Sequence, residues 1–446
     1  MSNIFHSVTL VDELCKGCTH CIKRCPTDAI RVRNGKAKIM DMHCIDCGEC
    51  IRICPYHAKK AVYDTLDILK KYKYNIALLA PSLYGQFPNL KSLGHLDAAF
   101  LELGFDAVFE VSKAAEIVSD ITVKYIKAGG HKKPIINSAC PTITRLIQKR
   151  FPDLIEHLLP IITPSELSGL MAKAEAAKKT GLNPSDIGTI FISPCPAKIT
   201  TVKNPIGIEK SYLDGAIGFK EIYPQLHSLL SKIDQKLPAQ SGGAGIRWGA
   251  SGGEASAISV AVEDKYLAAD GIENCIQVLE SLENEQSKLD VEYVELNACP
   301  GGCVGGVLTV ANPFVAMVKL NSLRKKLPTV LNKLKEDTIP EHSRWSSPPE
   351  YQPVMELDNN ILGAMEKLSE IDSIEAELRG LDCGSCGSPS CRAFAEDVVR
   401  GYCEINECIF ILRESMQNIA ETVAGLRRIK NATSCRDLRR ASPTQD

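Results

Sequence analysis

Two cysteine runs near the N-terminus constrain the fold more than any other feature of the chain. Residues 15–26 read CKGCTHCIKRCP and residues 44–55 read CIDCGECIRICP, so both have the spacing C-x2-C-x2-C-x3-C-P. Three closely spaced thiolates can hold one face of a cubane cluster, while the fourth cysteine reaches a second cluster. The spacing therefore predicts a small module, residues 1–62, that is built around two clusters.

The repeated run is similar to that of bacterial two-cluster ferredoxins, and the resemblance implies two [4Fe-4S] ligand sets. The first set is Cys15, Cys18, Cys21 and Cys54, and the second is Cys44, Cys47, Cys50 and Cys25. A duplicated zinc knuckle is the alternative interpretation. Pro26 and Pro55, which follow the fourth cysteine of each run, argue against zinc.

Composition limits the remaining classes of function. The chain has 446 residues, a net charge of −2 and 19 cysteines. A balanced charge does not indicate binding to nucleic acid or to a membrane surface. The first residues contain no basic segment followed by an apolar one, so we expect no secretory signal and a cytoplasmic location. In that setting thiols stay reduced, and metal ligation is a better prediction than disulfides.

Residues 63–336 follow a different pattern, in which short apolar runs alternate with helical stretches. The runs lie at 74–82, 133–141, 187–198 and 291–303. Continuous apolar runs are typical of parallel strands that are covered on both faces. Ligands of such sheets bind beyond the carboxyl ends of the strands. The pattern predicts an α/β domain with parallel or mixed sheets flanked by helices, and it predicts that the cysteines after three of these runs meet at one edge of one sheet.

Three of the loops carry a recognisable resemblance. SACP (138–141), SPCPAK (193–198) and ELNACPGGC (295–303) resemble the signature loops of the [FeFe]-hydrogenases, which hold the H-cluster. The resemblance implies a [4Fe-4S] cube bound by Cys140, Cys195, Cys299 and Cys303. It further implies that Cys303 bridges to a di-iron subcluster that carries CO, cyanide and dithiolate ligands. Taken singly, each cysteine could instead be an ordinary core residue.

The same resemblance implies roles for residues around the di-iron site. Lys198 matches a lysine that pairs with a cyanide ligand, and Pro81 and Ser82 match the loop that contacts the other cyanide. An anionic cluster in a buried pocket needs a cation and hydrogen-bond donors, which agrees with these residue types. The alternative for Lys198 is a solvated surface lysine.

Several positions differ from catalytic members of the family. Ala139 stands where those members have a proton-relaying cysteine, and Asn137 replaces the usual threonine. Ser193 and Asn297 stand where methionines flank the cluster. Ile121 and Lys124 align, more loosely, with an acidic pair on the usual proton path.

This pattern resembles the sensory [FeFe]-hydrogenases, in particular the branch without a PAS domain. Glu254, in WGASGGEASA (248–257), stands where an apolar residue is common. A carboxyl group at this position could offer another proton route. The alternative is a solvated glutamate that follows a glycine-rich turn.

A third group of cysteines follows a proline-rich segment, 337–353, which we interpret as a linker. The spacing Cys383-x2-Cys386-x4-Cys391-x16-Cys408 resembles the small helical [4Fe-4S] domain of corrinoid iron-sulfur proteins, which is also appended to some sensory hydrogenases. We assign this domain to residues 354–426. Structural zinc is an alternative, and Cys403 could replace Cys408 as the fourth ligand.

The last part of the chain has a helical pattern. Apolar residues recur at intervals of four and three residues and predict one apolar stripe on a helix; they are Leu412, Met416, Ile419, Val423 and Leu426. We expect this stripe to pack against the cluster domain, because two heptads are too few to indicate a coiled coil. Residues 427–446 read as a solvated basic tail. Cys275, Cys403 and Cys435 have no partner by spacing.

Together these features predict an [FeFe]-hydrogenase-like protein that senses H2. It would carry three accessory [4Fe-4S] clusters and a fourth within the H-cluster. H2 and protons would be its substrates, a redox or signalling protein its partner, and hydrogenase maturation proteins would install the di-iron subcluster. The alternatives are a metabolic, ferredoxin-linked hydrogenase with a rerouted proton path, and a non-catalytic iron-sulfur protein without the di-iron site.

Overall fold

The chain forms two compact units. The computed structural model describes residues 5–235, 237–284, 290–334, 338–354, 357–358 and 360–439, with the side chains of the last helix described as far as Arg427. The larger unit comprises Met1–Cys15 and Ile39–Val354, and the smaller unit comprises Lys16–Lys38 and Met355–Asp446. The predicted ferredoxin module therefore contributes residues to both units.

The described residues contain short strands and fifteen α-helices. The strands are β1 Val8–Leu10, β2 Ile30–Arg33, β3 Lys36–Ile39, β4 Lys59–Ala61, β5 Tyr74–Leu79, β6 Ala107–Glu110, β7 Ile135–Ile136, β8 Ile187–Ser193, β9 Gly215–Gly218, β10 Tyr266–Asp270 and β11 Tyr293–Asn297. The helices are α1 His20–Lys23, α2 Glu49–Ile53, α3 Leu93–Glu102, α4 Val111–Ala128, α5 Pro141–Arg150, α6 Pro164–Thr180, α7 Pro196–Lys203, α8 Phe219–Leu230, α9 Gly243–Arg247, α10 Gly253–Ile258, α11 Ile272–Glu283, α12 Pro313–Arg324, α13 Ile361–Glu377, α14 Cys391–Val399 and α15 Ile409–Arg439.

Two parallel sheets organise the larger unit. The first has the strand order β6-β5-β8-β9, and the second has the order β10-β11-β7. Every residue of β8 is buried, as the continuous apolar run predicted for a parallel strand that is covered on both faces. The prediction of an α/β domain with parallel sheets and flanking helices is confirmed.

The expectation of a single sheet edge is wrong, because the strands before Cys140 and Cys299 belong to the second sheet. β7 pairs with β11, whereas β8, which precedes Cys195, pairs with β5 and β9. The second sheet contributes to two apolar cores. Tyr293 of β11 belongs to the main core with β5 and β8, whereas Val294 of β11 packs with residues of α5 and α11 in a second core. Apolar runs show that a strand is buried but do not show which sheet it joins.

The proline-rich segment 338–354 belongs to the larger unit and contains one 3-10 turn, Glu341–Ser343. The Trp345 amide donates to the Pro160 carbonyl at 3.0 Å, and the Ser347 amide donates to the Gly207 carbonyl at 3.1 Å. The Gln352 amide donates to the Gln148 carbonyl at 2.9 Å. These backbone hydrogen bonds fix the segment over α5 and the loop after α7.

In the smaller unit, a hairpin of β2 and β3 packs against α14. Asn34 and Gly35 have φ angles of 53° and 72°, which suit the tight turn between the two strands. Asp397, on α14, is 2% exposed and accepts from Arg31 Nε at 2.6 Å and from Arg33 Nη2 at 2.8 Å. The Ser388 hydroxyl donates to the same carboxylate at 2.9 Å. One buried carboxylate therefore joins residues 16–38 to the C-terminal helices.

The apolar stripe of α15 does not pack against the cluster domain, which corrects the prediction. Its members are between 44% and 63% exposed. The neighbouring side chains Phe410 and Ile411 pack against the core of the smaller unit instead. Because these two residues lie on another face of the helix, the stripe remains exposed.

The predicted basic tail begins inside α15, which continues to Arg439. Residues 440–446 and the side chain of Cys435 lie outside the described parts of the chain. None of the described helices is both long and apolar enough to cross a membrane.

We expect Asp397→Ala to destabilise the smaller unit strongly, because it leaves the buried guanidinium of Arg31 without its carboxylate. Breaking one side of a buried ion pair typically costs about 3–5 kcal/mol. Urea unfolding of the cluster-loaded chain, followed by circular dichroism, measures this loss.

The matched control is Asp372→Ala. Asp372 pairs with Arg392 at an exposed position on α13, with its side chain 60% exposed. Surface pairs of this kind contribute about 0–1 kcal/mol. If both variants lost the same free energy of unfolding, that result would contradict a larger contribution of the buried Asp397 to stability.

Candidate active site

Four cysteines of the larger unit lie at the ends of strands or the beginnings of helices. Cys140 directly precedes α5, and Cys195 directly precedes α7. Cys299 follows β11 by two residues, and Cys303 begins a short 3-10 turn, Cys303–Gly305. Both parallel sheets thus deliver cysteines at their carboxyl ends, where ligands of such sheets bind.

These four thiols are close enough to influence one another's ionisation. Burial raises the pKa of Cys303 to about 12; Cys195 and Cys140 add to the increase, and Lys198 opposes it. Burial, together with Cys195, Cys140 and Cys303, raises the pKa of Cys299. No disulfide joins any of the four. Convergent thiols that resist ionisation by themselves fit a cluster site, because the positive charge of iron stabilises thiolates.

Tight glycine contacts shape the loops around these cysteines. Gly302 has a φ of 85°, and a Cβ atom there would lie 2.5 Å from the Ser251 nitrogen. A Cβ on Gly249 would lie 2.8 Å from the Ser82 nitrogen. Since such separations are shorter than van der Waals contact, only glycine lets the Cys303 loop and the Pro81–Ser82 loop each approach the turn 249–251 this closely.

Lys198 lies at a small cavity beside Cys303. Its ammonium group donates to the Ala139 carbonyl at 2.7 Å. Burial acts to lower the pKa of Lys198, but Cys303, Cys195 and Cys140 outweigh it and the pKa is raised. Lys198 is therefore a cation that faces the cysteines, and the solvated-lysine alternative does not describe its surroundings.

Ser82 and Pro81 line the same cavity as Lys198 and Cys303. Ser82 is fully buried, and its hydroxyl makes no hydrogen bond to any described residue. Gln86 Nε2 donates to the Ser82 carbonyl at 3.1 Å and helps to fix this loop. A buried hydroxyl without a partner is costly, so Ser82 suits a polar ligand in the cavity.

Glu254 also lines this cavity and is only 4% exposed, so the solvated-glutamate alternative is wrong. Its carboxyl oxygens accept from the Tyr293 hydroxyl at 2.7 Å and from Asn137 Nδ2 at 2.9 Å. Burial, together with nearby Glu295, raises the pKa of Glu254 to about 8. Glu254 therefore retains a proton at neutral pH and lines the cavity that the Ala139 methyl group also lines.

Sequence reasoning did not find Glu295, which is the second carboxyl group at this cavity. Glu295 is 2% exposed and accepts from the amides of Gly252 and Ala255 at 2.9 and 2.8 Å. Asn297 Nδ2 donates to it at 2.7 Å. Its signal in the sequence is a charged residue between the apolar residues Val294 and Leu296, shortly before Cys299.

The other positions that differ from catalytic members have identifiable surroundings. The Ser193 hydroxyl donates to the Cys195 carbonyl at 2.8 Å and supports that loop. Ile121 is fully buried in the core. Lys124 lies 3.5 Å from Asp120 on the same helix. Neither Ile121 nor Lys124 is among the residues that line the cavity.

The ferredoxin-like cysteines are divided between the units. Cys15, Cys44, Cys47, Cys50 and Cys54 belong to the larger unit, and Cys18, Cys21 and Cys25 belong to the smaller one. The two halves repeat one local geometry. The Ala29 amide donates to Cys25 Sγ at 3.2 Å, and the Ala58 amide donates to Cys54 Sγ at 3.3 Å. Amide donors stabilise a thiolate, as an Fe-S ligand requires.

The C-terminal cysteines meet in the smaller unit. One small cavity is lined by Cys383, Cys386, Cys391 and Cys408, together with apolar residues such as Phe394. Cys403 does not line this cavity. Cys275, in the larger unit, is buried, and its thiol contacts the Asn297 carbonyl at 3.4 Å, which suits a structural role.

Comparison with known families gives the class of protein. The family model described as "Iron only hydrogenase large subunit, C-terminal domain" matches residues 73–307, slightly more than half of the chain. The chain belongs to this family. A 4Fe-4S dicluster domain model matches residues 7–55, and an Fe-S cluster model matches residues 378–410. The chain is a hydrogenase-like iron-sulfur protein with a ferredoxin-like N-terminal region, as the resemblance of its loops and cysteine runs implied.

Individual relatives are distant. Iron hydrogenase 1 of Clostridium pasteurianum is 24% identical over 287 residues, which cover 52% of this chain and 50% of that protein. Probable cytosolic Fe-S cluster assembly factor oxy-4 of Caenorhabditis elegans is 24% identical over 282 residues, covering 51% and 61%. A solved variant of [FeFe]-hydrogenase HydA1 from Chlamydomonas reinhardtii has a TM-score of 0.46 and 16% identity, covering 58% and 88%. The chain spans 50% of the length of the Clostridium protein and 61% of the length of the Caenorhabditis protein.

We expect Cys408→Ser to abolish the C-terminal cluster and Cys403→Ser to preserve it, because only Cys408 lines the cavity with Cys383, Cys386 and Cys391. Iron analysis of each purified variant, together with the electron paramagnetic resonance of the reduced protein, measures the loss of one cluster. Retention of the cluster in Cys408→Ser, with loss in Cys403→Ser, would reverse the assignment.

We expect Glu254→Gln to change how stability depends on pH. The pKa of Glu254 is about 8 in the folded protein, whereas the ordinary pKa of a glutamate is 4.5. The folded state therefore binds more protons between these values, and the free energy of unfolding falls as pH rises through that window, by up to about 1.4 kcal/mol per pH unit. Chemical unfolding across this range should show a shallower decline in the variant.

The control for this measurement is Glu175→Gln, which removes an exposed carboxylate whose side chain is 57% exposed. Its pH profile should follow the wild type. Parallel profiles for wild type and Glu254→Gln would contradict the inferred protonation of Glu254.

Proposed function

We propose that the chain is an [FeFe]-hydrogenase of low turnover that senses H2. H2 would be converted to two protons and two electrons, and [4Fe-4S] clusters would pass the electrons to a redox or signalling protein. The observation that carries this proposal is the cavity beside Cys303. It combines Lys198, Ser82 and a buried glutamate, yet the Ala139 methyl group occupies the position of the relay thiol.

The residues of the cavity suit a di-iron subcluster with CO, cyanide and dithiolate ligands. When bound, this group would supply the heterolytic H2 chemistry. Cys303 would hold it to the protein, the Lys198 ammonium would balance its negative charge, and the unpartnered Ser82 hydroxyl would donate to a polar ligand. Cys140, Cys195 and Cys299 would complete the cubane set with Cys303. Maturation proteins would install the di-iron group.

Proton transfer is the step in which this chain would differ from fast hydrogenases. A general acid or base must lie within hydrogen-bond reach of the group it serves, directly or through one water. The Ala139 methyl group neither donates nor accepts. Glu254 lines the same cavity and holds a proton at neutral pH, so it would act as the alternative donor and acceptor. Its hydrogen bonds to Tyr293 and Asn137 fix its position.

Electrons would leave through the accessory clusters. Cys15, Cys18, Cys21 and Cys54 would hold one [4Fe-4S] cluster, and Cys44, Cys47, Cys50 and Cys25 would hold a second. The cavity in the smaller unit supports a third cluster on Cys383, Cys386, Cys391 and Cys408. With the cube of the H-cluster, the protein would carry four [4Fe-4S] clusters and operate in the cytoplasm.

Two other functions fit the same fold. A metabolic hydrogenase could use the Glu254 route at a high rate. A non-catalytic protein could keep the cysteines without the di-iron group, and one relative is named an Fe-S cluster assembly factor. The unpartnered Ser82 hydroxyl and the Lys198 ammonium favour a protein that binds the di-iron group, because a cubane held by four cysteines does not require them.

We expect slow steady-state H2 evolution by the matured wild type and faster evolution by Ala139→Cys, which restores a thiol at the cavity. Positioned proton transfer typically contributes about 10²–10⁴-fold in rate, so Glu254→Gln should lower the residual rate by a large factor. The control is Glu396→Gln, another buried glutamate whose pKa is raised by burial, but on α14 of the smaller unit. It should leave the rate unchanged.

Infrared bands in the CO and CN stretching region must first show that each variant carries the di-iron group. Their absence after maturation would favour the non-catalytic alternative. Wild-type rates equal to those of fast hydrogenases, with the bands present, would contradict the sensory function.

A further inference from the structure

A second cavity in the larger unit is not used by the proposed hydrogen chemistry. It has a volume of about 430 Å³, within the range of small-molecule sites. Its base includes buried residues of α5 and α7, and its exposed rim includes Asp41 and residues of the segment 347–352. Pro348 and Pro349 lie on this segment, which backbone hydrogen bonds to Gly207 and Gln148 hold in place.

Two cations lie at the base of this cavity, one turn apart on α5. Arg145 and Lys149 are each 8% exposed. Arg145 Nη2 donates to the Asn204 carbonyl at 3.2 Å, whereas Nη1 is buried and makes no hydrogen bond to a described residue. The Asp46 carboxylate oxygen Oδ2 lies 3.7 Å from Arg145 Nη1. Lys149 donates to the Met42 carbonyl. Arg145 therefore lines the cavity with one guanidinium nitrogen that has no hydrogen bond to a described residue.

Asp46 and Cys44 are the acidic groups that act on both of these cations. Asp46 is 1% exposed, and its carboxylate also accepts from His6 Nδ1 at 2.8 Å. The other ring nitrogen of His6, Nε2, is buried without a hydrogen bond to a described residue. Burial lowers the pKa of both Arg145 and Lys149, which expresses the cost of burying two neighbouring cations, while Asp46 and Cys44 oppose the decrease.

We propose that this cavity binds a small organic anion that bears a phosphate or carboxylate group. The charged group meets the Arg145 guanidinium and the Lys149 ammonium, which both line the cavity, and the remainder of the molecule lies beneath the segment 347–352. Arg145 suits this role because its planar guanidinium recognises carboxylate and phosphate with paired hydrogen bonds. Cys44 lines the same cavity, so the anion would lie beside a sulfur of the second proposed ferredoxin-like cluster. This inference goes beyond the proposed function and does not depend on H2 chemistry.

Calorimetric titration of the cluster-loaded full chain tests the proposal with three probes. Inorganic phosphate presents the anionic group alone, citrate presents carboxylates, and adenosine monophosphate presents a phosphate with an organic body. We expect one-to-one binding of at least one probe. Binding of citrate alone would identify a carboxylate site, and binding of either phosphate compound would identify a phosphate site.

Charge removal should weaken the binding of that probe. Loss of one charge-assisted hydrogen bond typically reduces affinity by about tenfold or more, so Arg145→Gln and Lys149→Gln should each do so. Arg145→Lys, which keeps the charge, should lose less. Arg150→Gln is the matched control, since Arg150 is the next residue on the helix but is exposed and pairs with Glu280. It should bind as the wild type does.

Thermal unfolding of every variant shows whether it folds. If the buried substitutions prevent folding, Ser347→Trp tests the same site from its exposed rim, where a large side chain should block entry and abolish binding. No binding of any of the three probes at millimolar concentration would overturn the proposal. Binding that survives unchanged in the folded glutamine variants, or in Ser347→Trp, would overturn it as well.

Discussion

Burial of acidic groups at the carboxyl ends of two parallel sheets is the constraint on which the larger unit depends. Four thiols and the carboxyl groups of Glu254 and Glu295 lie there, in surroundings that raise the pKa of Cys303 to about 12 and of Glu254 to about 8. Such a site is stable only if its groups stay protonated or meet positive charge. Lys198 supplies one cation, and iron bound to the cysteines would supply the rest.

The cysteine spacing predicted the iron-sulfur modules because ligand geometry is local. Three cysteines in a C-x2-C-x2-C run can bind one cluster whatever fold surrounds them. The apolar runs predicted parallel strands for a related reason, since a strand that is buried on both faces has a continuous apolar sequence. Sheet membership is different. β7 joins β11 rather than β8 through packing on α5 and α11, and contacts between residues more than a hundred positions apart leave no periodicity in the sequence.

The stripe on α15 and the position of Glu254 also show that a local sequence pattern does not predict long-range contacts. Helical periodicity correctly predicted an apolar face on α15, but it did not predict which face meets the domain, and Phe410 and Ile411 do so instead. Glu254 follows a glycine-rich turn, a pattern that is common at exposed loops. Its burial depends on Tyr293 and Asn137, which come from two other strand regions. The site of the cysteines was therefore predictable, while the polar network around it was not.

The positions that the sequence resemblance singles out are not independent of one another. Asn137 donates to Glu254, and Asn297 donates to Glu295. Two of these positions thus hold the two buried carboxyl groups that line the cavity with Ala139. A buried carboxyl group without donors would be strongly destabilising, so a glutamate at position 254 requires a partner such as Asn137. The two carboxyl groups and their amide donors form one polar network around the cavity that Ala139 lines. This network is the physical basis on which the proposed function assigns a different proton route rather than a defective one.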